Sequence, residues 1–215
     1  MKILAINPGS TSTKVAVYED TTPRLVRTLH HSIEELSAFA HVTDQFDFRK
    51  EVVLHELAAD NIPLQFDAVI GRGGLFKPIP GGVYEINAQM LHDALHAPRP
   101  HACNLGCLIA AHLAKSICGC RAFIADPGVT DELDDVARIT GSPLMPRITT
   151  WHALNQRAVA RRFAREQGQQ YEDFNLIICH LGGGISIGTH RHGRCIDVNN
   201  ALDGEGPFSP ERAGT

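Results

Sequence analysis

The sequence has no apolar run near the roughly 20 residues that a membrane-spanning helix needs. It has no basic excess either: 20 Lys and Arg stand against 24 Asp and Glu, a formal net charge of -4, whereas nucleic-acid binders are usually strongly basic. The N-terminus begins directly with an apolar strand pattern and shows no cleavable signal architecture. We therefore expect a cytoplasmic protein with no membrane partner and no nucleic-acid partner.

Cysteine is too sparse for a disulfide framework: there are six in 215 residues, several inside apolar runs where a free thiol packs as a small hydrophobic group. Cys103, Cys107 and His101 form one conceivable set of metal ligands. Their Cys-x3-Cys spacing falls on a helical pattern, however, and no second pair completes the four ligands of a structural zinc site. We expect reduced cysteines and no zinc.

Two glycine-rich turns are the most informative features that the sequence does contain. The first lies in ILAINPGSTSTKVAVY (3–18) and the second in LIICHLGGGISIGTHRHGRCIDV (176–198), each between apolar runs of strand length. Successive backbone N–H groups cradle a phosphate, and glycine lets a backbone approach it closely. We interpret the turns as two halves of one nucleotide site, with Lys14 adding a point charge to the first turn. The predicted phosphate-binding residues are Asn7, Ser10, Ser12, Lys14, Gly182, Gly183 and Gly184.

An ordinary hairpin is the alternative interpretation of the first turn, because Asn, Gly and Ser dominate tight turns in general. Lys14 and the matching second turn favour phosphate binding over that alternative.

The first half of the chain alternates patterns typical of strands and of helices. Three short apolar runs are followed by helix, strand, helix and strand, an order that predicts a mixed α/β sheet of the ribonuclease H-like type. The predicted strands lie at 3–7, 15–18, 25–29, 68–71 and 122–125, and the predicted helices at 33–41, 48–61 and 104–118.

The second half repeats the plan of strand, glycine-rich turn, strand and strand. Gly-Ser-Pro at 141–143, with Pro146 after it, is the best linker, so we predict a domain over 1–145 and an incomplete second domain of the same type over 146–215. Three strands alone are marginal unless their apolar faces are covered. We expect either a truncated chain or a partner, a second copy or a missing C-terminal half, that completes the domain. The predicted elements are a crossing helix at 151–167 and strands at 176–179, 185–190 and 194–198.

The motifs resemble those of one family. NPGSTSTK (7–14) and HLGGGISIGTHRHG (180–193) resemble the two signatures of the butyrate kinases, relatives of acetate kinase in the actin and sugar-kinase superfamily, with a departure at Thr189. GRGGLFKPIPGGVY (71–84) and VNNALDGEGPFSPERAGT (198–215) are closer to butyrate kinases than to acetate kinases. The resemblance implies an acyl kinase that transfers the γ-phosphoryl of ATP, with Mg²⁺, to butyrate or a similar short or branched carboxylate, reversibly.

Part of the family pattern is missing. The family's adenosine-binding glycine motif and one acidic residue of its magnesium site belong to a C-terminal part that this sequence does not contain. Two alternatives to an active kinase therefore stay open, a non-catalytic remnant and one chain of a split enzyme.

Two arginines are expected to bind the substrate. Arg72 follows the strand at 68–71 between glycines, and an arginine there can hold a carboxylate or phosphoryl group in a bidentate manner, although a surface ion pair is the usual fate of Arg. Arg212, in SPERAGT, is the second arginine by resemblance.

Two histidines match active-site positions of the family. His152 and His180 would stabilise the equatorial oxygens of a transferring phosphoryl group, while packing at a helix N-terminus is the alternative for His152. A phosphohistidine intermediate stays open, but direct transfer needs fewer steps and is preferred.

Asp126, just past the strand at 122–125, is the predicted Mg²⁺ ligand together with Asn7, because Mg²⁺ prefers one or two carboxylates plus phosphate oxygens. A turn cap before Pro127 is the alternative. The acidic run Asp131, Glu132, Asp134 and Asp135 is interpreted as a solvated face.

The acyl pocket is expected at Gly73, Gly74, His101 and Asn104. The resemblance implies bulkier residues after the arginine in acetate kinases. Glycine beside Arg72 would therefore leave room for a longer chain, and burial of about 0.8 kcal/mol per CH₂ would favour butyrate over acetate about tenfold.

Overall fold

The computed structural model describes residues 1–97, 101–145, 147–182 and 184–202. They form two compact units, the first made of residues 1–76 and 83–125 and the second of residues 77–82 and those from 126 onward. The expected boundary between folding domains at 145–146 stays a prediction.

Unit 1 contains one mixed six-stranded sheet. Its first three strands form an antiparallel meander, and the first strand pairs in parallel with the fourth. Together they make the mixed sheet that the sequence predicts. The strands are β1 (Lys2–Pro8), β2 (Ser12–Glu19), β3 (Thr22–His30), β4 (Ala68–Arg72), β5 (Val83–Glu85) and β6 (Arg121–Ala125). Their order across the sheet is β3-β2-β1-β4-β6-β5.

Four α-helices accompany this sheet: α1 (Ile33–Ser37), α2 (Phe46–Ala59), α3 (Ala88–Leu95) and α4 (Cys103–Lys115). Helix α1 begins with a capping box, in which the Ser32 side chain accepts from the Glu35 backbone and the Glu35 carboxylate accepts from the Ser32 backbone. It ends at Ser37, so the helix predicted over 33–41 is too long. A separate 3₁₀ turn (Val42–Gln45) then leads into α2.

The core of unit 1 lies between the meander and two of these helices. Alternate residues of a strand share a face, and Leu4 and Ile6 of β1 and Val15 and Val17 of β2 are accordingly buried together. Val53 and Leu57 of α2 and Leu105, Ile109 and Leu113 of α4 cover them.

Helix α4 packs directly on the backbone of β4. A Cβ at Gly71 would lie 2.1 Å from the Gly106 carbonyl oxygen, and one at Gly106 would lie 2.6 Å from the Arg72 carbonyl oxygen. Only glycine permits this approach from both sides. The contact fixes the start of α4 against the end of β4, where Arg72 stands.

Unit 2 contains helix α5 (Ala153–Glu166) and a three-stranded antiparallel meander, β7 (Asn175–His180), β8 (Ser186–Arg191) and β9 (Arg194–Val198), in that order. These elements begin and end within two residues of the predicted ones. One buried cluster joins Trp151 to Leu133, Cys195 and Val198, and another joins Tyr171 to α5. None of the described helices is both long enough and apolar enough to cross a bilayer.

The acidic run at 131–135 is not a solvated face, and that prediction is wrong for three of its four members. Asp131 pairs with Arg138 at 2.8 Å and Asp134 with Arg191 at 2.6 Å. Glu132 is largely buried. It pairs with Arg157 and accepts hydrogen bonds from the backbones of Gly81 and Cys195. Arg138 is seven residues from Asp131, whereas Arg157 and Arg191 are distant in sequence from their partners. Asp135 alone of the four is exposed.

Candidate active site

The first glycine-rich turn is a short connection between β1 and β2. Gly9 N–H donates to the Ser12 carbonyl at 2.7 Å, which closes the turn over residues 9–12. Lys14 lies within β2 rather than in the turn, directly opposite Asn7 in the antiparallel register. Opposed residues project from the same face of a sheet, so Asn7 and Lys14 are neighbours beside the turn. Ser10 is exposed and Ser12 half-buried.

A buried arginine that the sequence analysis missed supports this turn from below. Arg49 of α2 is 0% exposed. Its Nη1 donates to the Ser12 carbonyl and to Thr13 Oγ1, both at 3.0 Å, and its Nη2 donates to the Ser10 carbonyl at 3.2 Å. Its Nε donates to Gln45 Oε1 at 3.0 Å. None of the four acceptors is a carboxylate.

A guanidinium remains charged in proteins even though burial lowers the pKa of Arg49 from its usual value. The structure therefore places a positive charge next to the turn predicted to bind phosphate. Uncharged oxygens accept the hydrogen bonds of this guanidinium. One sequence signal pointed to this residue: Arg49, Val53 and Leu57 recur every four residues, which puts the arginine on the buried face of α2.

Unit 1 brings two predicted site residues together at neighbouring strand ends. Arg72 ends β4, and its Nη1 donates to Asn7 Oδ1 of β1 across 3.4 Å. The carboxyl ends of adjacent parallel strands are the usual location of ligand sites in open α/β sheets. This arrangement fits the predicted anion site, since it combines an arginine, an amide and the adjacent Lys14.

The predicted acyl-pocket residues Gly74 and Asn104 are in contact. Asn104 is buried, accepts from the Leu75 backbone at 2.8 Å and donates to the Ala94 carbonyl at 3.1 Å. A Cβ at Gly74 would lie 2.9 Å from Asn104 Cα. The free volume expected beside Gly74 is therefore filled by Asn104, which ties the loop after Arg72 to the start of α4.

Near the same end of α4, His101 Nδ1 accepts from the Cys103 backbone at 3.1 Å. Burial raises the pKa of Cys103 to about 11 and that of Cys107 to about 12. Both thiols remain protonated at neutral pH.

Asp126, the predicted metal ligand, lies in unit 2 and is 4% exposed. Its Oδ1 accepts from the Gly82 backbone at 2.9 Å and stands 3.0 Å from Arg157 Nε, while its Oδ2 accepts from Arg161 Nη1 at 3.1 Å. Both oxygens are thus engaged by cations, and this donor set does not fit a Mg²⁺ ion unless the arginines move. The metal role of Asp126 and Asn7 stays a prediction, and the described residues contain no group of three His, Cys, Asp or Glu side chains placed to hold a metal.

Unit 2 brings the two predicted histidines together at the second glycine-rich turn. His180 ends β7 and His152 precedes α5, and their rings stack with centroids 3.7 Å apart and planes 7° from parallel. His180 Nδ1 lies 3.0 Å from Asn155 Oδ1, and His152 Nδ1 lies 2.9 Å from Ser186 Oγ. Gly182 and Gly184 come two and four residues after His180, with Leu181 between His180 and the first glycine, whereas the predicted site residues Gly183 and Arg212 lie outside the described residues.

A chain of hydrogen-bonded, buried polar side chains, absent from the sequence predictions, leads from His152 into the interior of unit 2. Gln156 Nε2 donates to the Ser186 carbonyl at 3.0 Å and to Ser186 Oγ at 2.9 Å. Gln156 Oε1 is 2.8 Å from His190 Nε2, and His190 Nδ1 is hydrogen-bonded to the Tyr171 hydroxyl. All four side chains are buried, and buried polar groups are tolerated when they are hydrogen-bonded.

Burial lowers the pKa of His190 to about 4 and raises that of Tyr171 to about 12, so both are neutral at pH 7. Gly188 leaves space for the chain, because a Cβ there would lie 2.4 Å from Gln156 Oε1 and 2.9 Å from His190 Nε2. Ser186, Gly188 and His190 alternate along β8 and share its buried face, which is the sequence signal for this chain. Thr189, where the family resemblance departs, is on the exposed face.

Comparison with known sequences finds a family model and curated relatives to which this chain is similar. A model of the Acetokinase family matches residues 147–204. A probable butyrate kinase of Bacteroides thetaiotaomicron is 72% identical over 215 residues, which cover 100% of this chain and 61% of the relative. Butyrate kinase 2 of Clostridium acetobutylicum is 53% identical over 99% of this chain and 60% of its own length. The chain thus spans about 60% of the length of these curated relatives.

Comparison with solved structures concerns the fold. The acetate kinase of Porphyromonas gingivalis matches with a TM-score of 0.66 and 19% identity, over 94% of this chain and 57% of that one. The acetate kinase of Entamoeba histolytica matches with a TM-score of 0.67 and 15% identity, over 100% of this chain and 60% of that one. These matches confirm the predicted fold class, a mixed α/β fold of the ribonuclease H-like type.

Proposed function

Because the chain belongs to the acetate and butyrate kinase family, we propose that it forms all or part of a carboxylate kinase. The proposed reaction transfers the γ-phosphoryl of ATP, with Mg²⁺, to butyrate or a similar short or branched carboxylate. The reverse reaction would form ATP from an acyl phosphate. The observation that carries the proposal is the stacked pair of His152 and His180 beside the second glycine-rich turn. Two imidazoles next to a glycine-rich turn are a suitable set of donors for a phosphoryl group.

In the proposal, unit 1 supplies anion binding. Arg72 grips the carboxylate or the transferring phosphoryl group, and Asn7 orients the guanidinium from 3.4 Å. Ser10, Ser12 and Lys14 bind phosphate oxygens at the first turn. The buried charge of Arg49 lowers the energy of an anion at that turn, since a low-dielectric surrounding strengthens charge interactions.

Unit 2 supplies donors for the charge that spreads over the equatorial oxygens during transfer. His152 and His180 take this role, with Gly182, Gly183 and Gly184 allowing close approach of phosphate. Arg212 remains the second arginine of the proposal. We favour direct in-line transfer, in which catalysis is positioning and charge neutralisation rather than covalent chemistry with the protein.

The preference for butyrate over acetate is the finer part of the proposal. It is supported by the butyrate kinase names of the relatives. Asn104 fills the space beside Gly74, so the room proposed for a longer acyl chain rests on the missing side chain of Gly73. Two additional CH₂ groups would favour butyrate about tenfold. Equal kcat/KM values for acetate, propionate and butyrate would contradict this part alone.

The experiment that tests the function measures acyl phosphate, trapped as hydroxamate, from MgATP and butyrate with the purified 215-residue chain. It is run with the chain alone and with the separately expressed C-terminal 40% or so of the Bacteroides thetaiotaomicron relative. Arg72→Ala should remove the product, and Arg24→Ala, an exposed arginine of the same unit paired with Glu19, should not.

Product from the chain alone means that it builds a working site. Product only after complementation supports one chain of a split enzyme. No product in either arm, from folded protein, contradicts the proposed function and favours the non-catalytic remnant.

A further inference from the structure

We infer that Ser186, whose hydroxyl is oriented by Gln156 at one end of the buried chain Tyr171–His190–Gln156–Ser186, fixes the protonation form of His152. Nδ1 of the His152 ring then accepts a hydrogen bond, and the ring proton resides on Nε2. The inference deepens the proposed function, on which its catalytic meaning rests. Every residue in the chain belongs to unit 2.

The first step sets the orientation of the Gln156 amide. Gln156 faces the Ser186 carbonyl oxygen at 3.0 Å. A carbonyl oxygen only accepts, so the amide nitrogen of Gln156 must face it and the amide oxygen must point the other way. The orientation is therefore dictated by chemistry rather than by a choice between two similar atoms.

The second step sets the form of His190. Gln156 Oε1 can only accept, so His190 Nε2 must donate to it at 2.8 Å. Burial lowers the pKa of His190 to about 4, which keeps the ring neutral with one proton. Nδ1 of His190 is then an acceptor, and the Tyr171 hydroxyl donates to it. Tyr171 and His190, at the end of the chain away from His152, are thus hydrogen-bonded to each other while both are neutral.

The third step assigns the hydroxyl proton of Ser186. The second amide proton of Gln156 goes to Ser186 Oγ at 2.9 Å, and the His152 backbone N–H donates to the same oxygen at 3.3 Å. A serine hydroxyl accepts two hydrogen bonds and donates one. With both acceptor positions taken, its proton goes to the remaining described neighbour, His152 Nδ1, at 2.9 Å.

The opposite form of His152 would break this pattern. A proton on Nδ1 would direct three donors at Ser186 Oγ and leave the serine proton without its described acceptor. Both defects would arise at a side chain that is 0% exposed, where an unmade hydrogen bond is not replaced by water. The chain therefore selects the form with hydrogen on Nε2.

The consequence concerns what His152 can offer to a phosphoryl group. A ring with hydrogen on Nε2 presents a hydrogen-bond donor at that atom, whereas attack on phosphorus from Nε2 requires a lone pair there. Ser186 and Gln156 are thus positioning residues, and through them the fold makes His152 a donor to phosphoryl oxygens rather than a nucleophile at Nε2.

The test is two-bond ¹H–¹⁵N correlation spectroscopy of the histidine rings at pH 7 in the ¹⁵N-labelled chain, with the His152 signals assigned by their loss in His152→Gln. Wild-type protein should show His152 with hydrogen on Nε2. Ser186→Ala should lower the ratio of the Nε2–H to the Nδ1–H form about tenfold, as expected for the loss of one buried hydrogen bond.

Two further variants are controls. Tyr171→Phe should leave the ratio unchanged, because the Ser186 carbonyl and not the tyrosine sets the direction of the chain. Ser37→Ala, in an exposed turn of α1, should also leave it unchanged.

A wild-type spectrum dominated by the Nδ1–H form, or the same ratio in folded Ser186→Ala as in wild type, would overturn the inference. If Ser186→Ala does not fold, the wild-type spectrum decides alone. The measurement needs no substrate, so the Nε2–H form together with no product in either arm of the kinase assay would contradict the proposed function and leave the inference standing.

Discussion

The two glycine-rich turns each connect a pair of antiparallel strands, but a charged side chain supports the first and neutral side chains lie beside the second. A buried guanidinium, Arg49, supports the first turn by donating to the carbonyl oxygens of Ser10 and Ser12. A neutral chain of hydroxyl, amide and imidazole groups, beginning at Ser186, lies beside the second. One turn thus rests on a fixed charge, and the other adjoins a set of directed hydrogen bonds.

The difference shows what each support can do. A trans peptide places the N–H of one residue opposite the C=O of the residue before it, so drawing the Ser10 carbonyl toward Arg49 turns the Thr11 N–H away from it. The first support therefore orients a backbone donor and adds positive charge. The second adds no charge but determines which nitrogen of His152 carries a proton.

The largest expected effect comes from removing the charged support. Arg49→Ala should lower the free energy of unfolding by about 4 kcal/mol, because it leaves a cavity and leaves four oxygens, two of them on the buried Thr13 and Gln45 side chains, without their donor. Urea unfolding measures it, and Arg24→Ala, an exposed arginine, should change it by less than about 0.5 kcal/mol. A loss at Arg49 as small as at Arg24 would mean that the buried charge does not support the turn.

Acid should break the neutral support. The pKa of His190 is lowered to about 4 by burial, against 6.5 for an exposed histidine, so the unfolded chain takes up a proton that the folded one refuses. This contribution to stability is fully present above pH 6.5 and is lost as pH falls toward 4, up to about 3 kcal/mol in all.

The measurement is urea unfolding from pH 7 to pH 4. His190→Gln should flatten the pH dependence relative to wild type, whereas His55→Gln, an exposed histidine of α2, should keep it. Equal slopes in wild type and His190→Gln would show that His190 does not titrate as its burial requires.

A methyl group added at Gly188 should disrupt the packing of the buried polar side chains against strand β8. Gly188→Ala places a Cβ 2.4 Å from Gln156 Oε1 and should lower the free energy of unfolding by about 2 kcal/mol through overpacking. Gly141→Ala is the matched control, since nothing lies within 4 Å of its Cβ position, and chemical denaturation should show little change there. Similar stabilities for the two variants would mean that the chain has room to spare.

The sequence predicted the meanders well and the supports poorly. Alternating apolar residues and glycine-rich turns mark both meanders locally, and the strands came out within a few residues of prediction. Strand β5 has only three residues, and helix α3 rests on one clear local signal, the Asn87 side chain that accepts from the Met90 backbone. Elements this short depend on tertiary contacts that a single sequence does not display.

The missed site residues share a physical cause. Arg49 meets the turn 37 and 39 positions away, and Gln156 meets His190 34 positions away, so no local pattern reports the pairing. The sequence likewise does not show that Arg157 and Arg161 contact the carboxylate of Asp126, the predicted metal ligand. Buried polar residues are identified by their partners, and partners are set by the fold.

The most direct test of the account is acyl phosphate formation by His152→Ala, in the arm of the assay that supports activity, with His55→Ala as the exposed control. Removing one donor to developing charge should lower kcat about 100-fold or more while unfolding free energy stays within about 1 kcal/mol of wild type. The account predicts that loss for His152→Ala and none for His55→Ala. An unchanged kcat in folded His152→Ala would contradict it.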